Sequence, residues 1–225
     1  MSFKSKNILT IILARKGSKR LKNKNLRKIN NLSLAEITIR FALKLKKYSS
    51  IIISTNDERI MKISEKYNVI NPGLRPERLS HDKSLSFDAV KYIIKWYQKK
   101  FKAKVKGVIL LQPTSPFRSS AVIINNLKIY LKKKYKFNYV SISNKNRKNN
   151  MFFSTNKILS LPTKKNKANC YTNGNFYILN PLFLYSDTTK TLIKSQTIGT
   201  LLKSKKYSID IDNYKHLKEA RGYIN

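Results

Sequence analysis

The stretch I-I-L-A-R-K-G-S-K-R-L-K-N-K-N, from Ile11 to Asn25, decides how this chain is read. Together with Ile8 and Leu9 before it, Ile11, Ile12 and Leu13 make a nearly continuous apolar run, the pattern of a parallel strand covered on both faces. Arg15, Lys16, Gly17, Ser18, Lys19 and Arg20 follow at its carboxyl end, where open α/β sheets bind their ligands. Gly17 lets the backbone approach oxygen atoms without a Cβ in the way, and Ser18 adds a hydroxyl donor. Arg15, Lys19 and Lys24 supply positive charge. The loop is therefore suited to a polyphosphate. Neither G-x-x-x-x-G-K-[ST] nor G-x-G-x-x-G fits the spacing, so the ordinary phosphate and dinucleotide loops are excluded, and a solvated basic turn is the competing reading.

Outward from this loop, helical and extended patterns alternate. Leu34, Ile37, Phe41 and Leu45 fall at helical spacing and predict a helix over about 33–47, with Asn31 or Ser33 as its N-cap. Ile51 to Thr55 reads as a second buried strand, Asp57 to Tyr67 as a short helix, and Val69-Ile70 as a brief extended piece. Pro72, Gly73 and Pro76 punctuate a loop that runs to Asp82. Phe87, Val90, Ile94, Tyr97 and Phe101 form the apolar stripe of a further helix, and Val108 to Leu111 the strand after it. Ser119 to Leu131 reads as helix and Tyr139 to Ser143 as strand. The rhythm breaks at Asn144 to Ala168, where β-like pieces at Met151 to Ser154 and Ile158 to Leu161 stand between lysine-rich turns. Strands at Asn175 to Leu179 and Ile209 to Ile211 and a helix from Asn213 to Tyr223 close the chain. The alternation predicts one α/β domain over 1–225, a doubly wound and mostly parallel sheet.

Composition narrows the partners. Lysine and arginine number 48 against 11 acids, a formal net charge of +37 in 225 residues. The lysines are scattered along every segment and accompany abundant asparagine, so the charge reads as a compositional drift, with no nucleic acid expected as partner. Its field still attracts anionic substrates. Cys170 is the sole cysteine, which excludes an intramolecular disulfide and a multi-cysteine metal cluster and suits a reducing, cytoplasmic setting. No apolar run approaches the roughly 18–20 residues of a membrane span, and no membrane partner is expected.

The loop and five further motifs stand in one order: A-R-K-G-S-K at Ala14 to Lys19 with Lys24-Asn25, S-T-N-D at Ser54 to Asp57, R-P-E-R-L-S-H-D at Arg75 to Asp82, L-Q-P-T-S-P-F-R at Leu111 to Arg118, N-G-N-F-Y-I at Asn173 to Ile178, and I-D-I-D at Ile209 to Asp212. In this order the chain resembles the acylneuraminate cytidylyltransferases, the CMP-sialic acid synthetases, over nearly its whole length. The resemblance implies a nucleotide-diphospho-sugar transferase-like sheet and transfer of CMP from CTP to the anomeric hydroxyl of a nine-carbon sialic-type acid. It implies that Arg15 and Lys24 grip the triphosphate with Ala14, Gly17, Ser18 and Lys19 in support, that Asn25 and Arg75 lie at the nucleotide, and that Gln112 meets the acceptor. It also implies that about 144–172 is a β-rich arm exchanged between two subunits, hence a homodimer.

Asp210 and Asp212 stand two apart, so on an extended segment both carboxylates point to one side. Such a pair suits Mg²⁺, which takes one or two carboxylates and fills its other positions with water and phosphate oxygens. Asp212 as the N-cap of the last helix is a compatible alternative. Ser80 and Asp82 belong to the same rim or cap their own loop, and His81 reads as a surface residue. Two departures from the family stand out. His216 occupies a position where a further Asp is usual, and Lys164-Lys165 stands where Arg-Gln meets the acceptor carboxylate; lysine keeps the charge there but loses the bidentate fork. Transfer to an eight-carbon acid such as Kdo, a basic nucleic-acid-binding module and an inactive homologue are the alternatives.

Overall fold

The computed structural model describes residues 6–82, 84–144, 151–155, 158–160, 169–185 and 196–224. The strands are β1 (Ile8–Leu13), β2 (Lys28–Ile29), β3 (Leu32–Ser33), β4 (Ser50–Ser54), β5 (Gly107–Leu111), β6 (Asn138–Asn144), β7 (Met151–Thr155), β8 (Ile158–Ser160), β9 (Cys170–Leu179) and β10 (Thr197–Leu201). The helices are α1 (Leu34–Leu43), α2 (Glu58–Lys66), α3 (Ser86–Phe101), α4 (Ser120–Lys132), α5 (Pro181–Tyr185) and α6 (Tyr214–Arg221). β2 and β3 form a small hairpin whose turn, Asn30-Asn31, takes the left-handed conformation that asparagine tolerates. The other eight strands share one sheet in the order β4-β1-β5-β9-β6-β10-β8-β7.

β1 lies at the centre of the first half, parallel to β4 and β5, with Ile11 opposite both Ile52 and Leu110. Its alternation sorts the core into two layers. Ile12, Ile53 and Leu111 face α1, α2 and α4 through Ile39, Ile60 and Leu127, while Leu9, Ile11, Ile52 and Leu110 face α3 through Val90, Ile94 and Tyr97. Helices on both faces make the sheet doubly wound, as the sequence predicts.

Three details differ from the sequence expectation. The first helix is regular only to Leu43; beyond it, i+3 bonds from Lys44 to Phe41, Leu45 to Ala42 and Lys46 to Leu43 tighten the chain, and Leu45 still reaches the core through them. β9 starts at Cys170 and runs antiparallel to both β5 and β6, so the sheet is mixed, although β6 and β10 resume the direction of β1. Ile209 to Ile211 is not a strand. Its alternation comes from a small cluster in which Ile209 and Ile211 pack with Leu21, Ile29, Leu34 and Leu217, and a bond from Ile211 N–H to the Thr114 carbonyl, 2.7 Å, ties its backbone to the turn after β5. In the expected arm, β7 and β8 form a hairpin paired to β9 and β10 at the sheet's far end. Lys164 and Lys165 lie outside the described residues.

Candidate active site

At the carboxyl ends of β1 and β5 a cavity of about 280 Å³ opens, and its wall includes Arg15, Ser18, Lys24, Asn25, Arg75 and Gln112. Asp210 and Asp212 complete it from the far end of the chain. The loop after β1 is shaped by its own polar groups. Gly17 is left-handed, φ 87°. Lys16 N–H donates to Asn56 Oδ1 at 2.7 Å, Lys24 N–H to Ser18 Oγ at 3.0 Å, and Asn25 Nδ2 to the Arg15 carbonyl at 2.9 Å. Ser18 and Asn25 thus fold the loop back on itself and turn Arg15 and Lys24 toward the cavity. Ala14 is fully buried; its N–H bonds the Ser54 carbonyl at 3.0 Å and its carbonyl accepts from Thr55 Oγ1 at 2.6 Å, which anchors the loop to the S-T-N-D segment. Lys19 stands outside, 83% exposed.

Carboxylates meet these cations. Asp212 pairs with Lys24 at 2.8 Å and with Arg20 at 3.1 Å, and Asp82 pairs with Arg15 at 2.7 Å and Lys19 at 2.8 Å. Hydrogen bonds from Lys19 and then Arg15 hold the Asp82 carboxyl below the usual carboxylate range. The Lys24 to Asp212 contact spans 188 residues of sequence. Two things carry Asp212 there: the small cluster under α6, and the Ile211 bond to Thr114 in the Q-P-T-S-P turn. Asp212 is not the helix cap. Asn213 takes that role, its side chain accepting from His216 N–H at 3.0 Å. His216 accepts the Asp212 N–H on Nδ1 at 3.3 Å and so fixes the segment's backbone.

Arg75 is only 6% exposed, its Nε donating to Ser54 Oγ at 2.9 Å and its terminal amine to the Ser54 carbonyl. Burial, with the nearby Arg15 charge adding to it, pulls its guanidinium down to about 10, so it remains charged at neutral pH. No ion pair to Arg75 is present among the described residues. A buried, charged guanidinium on the cavity wall suits an anionic or carbonyl-bearing ligand.

Gln112 follows β5 and is held by residues of its own motif, Leu111 to Arg118, and of the motif Asn173 to Ile178. The Arg118 guanidinium donates to the Gln112 carbonyl and, from Nε, to the Asn175 carbonyl at 2.9 Å. Asn175 Nδ2 donates to the Phe117 and Tyr207 carbonyls at 2.6 and 3.1 Å, and Ser115 Oγ to the Asn173 carbonyl at 3.1 Å. Gly174, φ 73°, lies so close to Gln112 that a Cβ there would stand 2.7 Å from its Oε1. An arginine closing a proline-bounded turn and a glycine between asparagines are the signals that would have found them.

The carboxylates fit a hard divalent cation in kind: two oxygen donors on one cavity wall, beside cations suited to phosphate. Among the described residues no group of three His, Cys, Asp or Glu side chains could hold a metal by itself. Phosphate or water oxygens would have to complete such a shell.

The sequence model of a family described as cytidylyltransferase matches residues 9–221. An N-acylneuraminate cytidylyltransferase from Escherichia coli is 32% identical over 216 residues, 92% of this chain and 49% of that protein. This chain thus spans about half the length of that relative. A CMP-N,N'-diacetyllegionaminic acid synthase from Legionella pneumophila is 33% identical over 91% of this chain and 90% of its own length. Among solved structures, a CMP:2-keto-3-deoxy-manno-octonic acid synthetase complexed with CTP superposes with a TM-score of 0.73, covering 97% of this chain and 98% of that one, at 15% identity, a likeness of fold. With its sheet, its cavity and a family match along almost its whole length, the chain belongs to the cytidylyltransferase family.

Proposed function

We propose that this protein transfers CMP from CTP to the anomeric hydroxyl of a nine-carbon sialic-type acid and releases pyrophosphate. The observation that carries the proposal is the meeting of the Arg15 to Asn25 loop with Asp210 and Asp212 in one cavity that also holds Arg75 and Gln112. A polyphosphate and a hydroxylated acceptor need this combination. The bond formed joins the anomeric oxygen to the α-phosphorus; the bond broken is the one from that phosphorus to the oxygen bridging to the β-phosphate, which leaves with the pyrophosphate.

In this reading Arg15 and Lys24 bind the triphosphate, with Lys19 at the rim, and the β1 loop presents Gly17 and Ser18 as it does because Asn25 locks it. Arg75 meets the nucleotide. Gln112, able to donate and accept at once, orients the acceptor. Asp210 and Asp212 would hold Mg²⁺, which when bound supplies Lewis-acid charge stabilisation and a template for the phosphates. Positioning and fixed charge then provide most of the rate, and no side chain forms a covalent intermediate. The acceptor class rests on the two relatives named for neuraminic and legionaminic acids. The same reading includes a homodimer built through the 144–172 arm and a cytoplasmic setting. Pyrophosphate release with CTP and Mg²⁺ tests it against a panel of neuraminic, legionaminic and pseudaminic acids and Kdo. Turnover with a nine-carbon acid is expected. Turnover with Kdo alone, or none with folded protein, would overturn the assignment.

A further inference from the structure

We infer that the pole of the sheet opposite the cavity is a docking surface for an anionic phospholipid bilayer. In a parallel α/β arrangement the connections from helix to strand all emerge at the end away from the ligand site. Three of them here are rich in lysine. Lys44, Lys46 and Lys47 lie between α1 and β4. Lys99, Lys100, Lys102, Lys104 and Lys106 run from the end of α3 to β5. Lys132, Lys133, Lys134 and Lys136 join α4 to β6. All twelve are exposed, and none is ion-paired among the described residues.

Bonds between these connections make them one surface. Lys6 Nζ donates to the Lys47 carbonyl at 2.9 Å, Lys106 N–H to the Asn7 carbonyl at 2.7 Å, and Tyr130 Oη, on α4, to the Lys106 carbonyl at 2.7 Å. Asn180 Nδ2, just past β9, donates to the Tyr135 carbonyl at 2.9 Å. The three connections contain no acid and no arginine. Compensation of helix dipoles accounts for lysines in a last helical turn, such as Lys99, Lys100 and Lys132. It does not account for those further along the connections.

The choice of a bilayer over a nucleic acid comes from what stands among the lysines. Leu182, in the first turn of α5 soon after β9, is 72% exposed, while Ile129 and Leu131 in the last turns of α4 are 38% and 40% exposed. Apolar side chains rimmed by lysine suit a headgroup and acyl boundary, where the lysine stems lie along the surface and the ammonium groups reach phosphate. Nucleic-acid surfaces instead use stacking aromatics and forked arginines. Here Tyr135 is packed on Tyr130, ring centroids 5.2 Å apart. Adsorption by this pole leaves the cavity open to solvent at the far end. It revises the expectation that no membrane partner exists, and it needs no span; among the described residues no helix is long and apolar enough to cross a membrane.

The test is co-sedimentation of the whole protein with phosphatidylcholine vesicles, with and without phosphatidylglycerol. Wild-type protein is expected to bind only the anionic vesicles and to be released by high salt. Changing Lys46, Lys47, Lys102 and Lys104 together to Gln should weaken partition about fivefold per lysine, several hundredfold in all. The same change at the exposed Lys203, Lys205, Lys215 and Lys218 should have far less effect, with thermal melts confirming that both variants fold. Leu182→Ser should cost roughly tenfold. Equal losses in the two lysine variants, equal binding to neutral vesicles, or oligonucleotide binding stronger than vesicle binding and lost in the first variant would each overturn the proposal.

Discussion

Replacing Gly174 by Ala tests whether Gln112 orients the acceptor, because the perturbation reaches that side chain and spares the phosphate cations. Gly174 has φ 73°, and an added Cβ would lie 2.7 Å from Gln112 Oε1 and 3.1 Å from Ser115 Oγ. The backbone of Gln112 cannot retreat, since Arg118 holds its carbonyl. Only the flexible amide can swing away. Two costs follow. A left-handed alanine destabilises the fold by about 1–2 kcal/mol, which in a domain of this size lowers Tm by roughly 2–8 °C. Losing one neutral hydrogen bond to the acceptor, about 0.5–1.5 kcal/mol, lowers acceptor kcat/KM between roughly twofold and thirteenfold. The KM for CTP should stay unchanged, because Arg15, Lys24 and Asp212 stand on other segments. The assay is steady-state pyrophosphate release with each substrate varied at saturation of the other, beside a thermal melt. A lowered Tm with unchanged acceptor kinetics, or equal losses for both substrates, would refute the role of Gln112.

Asp212→Asn is expected to lower turnover by orders of magnitude and to raise the Mg²⁺ concentration needed for half-maximal rate, while far-ultraviolet circular dichroism shows the fold intact; an unchanged rate would leave Asp212 a mere partner of Lys24. Arg15→Ala should raise the KM for CTP far more than that for the acceptor, and steady-state kinetics with equal rises would contradict its placement on the triphosphate. Asp57→Ala should cost about 0.5–2 kcal/mol, read as a fall in Tm, because the Asp57 side chain caps α2 by accepting from Arg59 N–H at 3.1 Å. Its hydrogen bond with the Arg59 side chain holds its carboxyl below the ordinary 3.8, so this contribution is present above that value and lost as pH falls through the lowered one. The Tm difference from wild type should therefore close in acid, and a constant difference would refute the ionic part of the cap.

Much of this architecture is legible in the chain because its strands are buried on both faces. Ile51 to Ile53 and Val108 to Leu111 are continuous apolar blocks and Ile8 to Leu13 is nearly one, and helices with clear stripes, such as α3, stand between them. Direction is not legible. Nothing local in Cys170 to Leu179 says that β9 runs against its neighbours, since strand polarity is set by where the chain must return. β10 escapes for a related reason: its residues alternate buried and half-buried at the edge of the parallel set, and Gly199 interrupts the pattern. At the site, Arg15, Lys24 and Asp212 announce themselves by type and spacing, whereas Arg75 is singled out only by the family resemblance. The aiming roles could not be read, even where the residue itself, like Asn25, stands in a motif. Arg118 acts through backbone carbonyls far apart in sequence, Asn25 through the Arg15 carbonyl, and Gly174 through the side chain it lacks. Such roles exist only once the fold has brought the segments together.

The scarcity of acids gives their positions meaning. With 11 acids among 225 residues and a net charge of +37, the repulsion around the β1 loop is a standing cost, visible in Arg75, whose proton is held less firmly partly because Arg15 is close. Asp82 and Asp212 each neutralise two cations of that loop. They act as internal counter-ions where phosphate is proposed to bind, and an incoming triphosphate must compete with them for Arg15 and Lys24. The competition is uneven, because Asp82 is more than one-third exposed and its pairs are screened, whereas Lys24 is only 13% exposed. Arg15 should therefore exchange its carboxylate for phosphate readily, and Lys24 should remain near Asp212. On this argument Asp82→Asn frees Arg15 and Lys19 and tightens triphosphate binding at low salt, with the gain fading as salt is raised. Calorimetric titration with CTP at two ionic strengths measures it, and weaker binding by the variant would show that Asp82 supports the nucleotide instead of standing in for it.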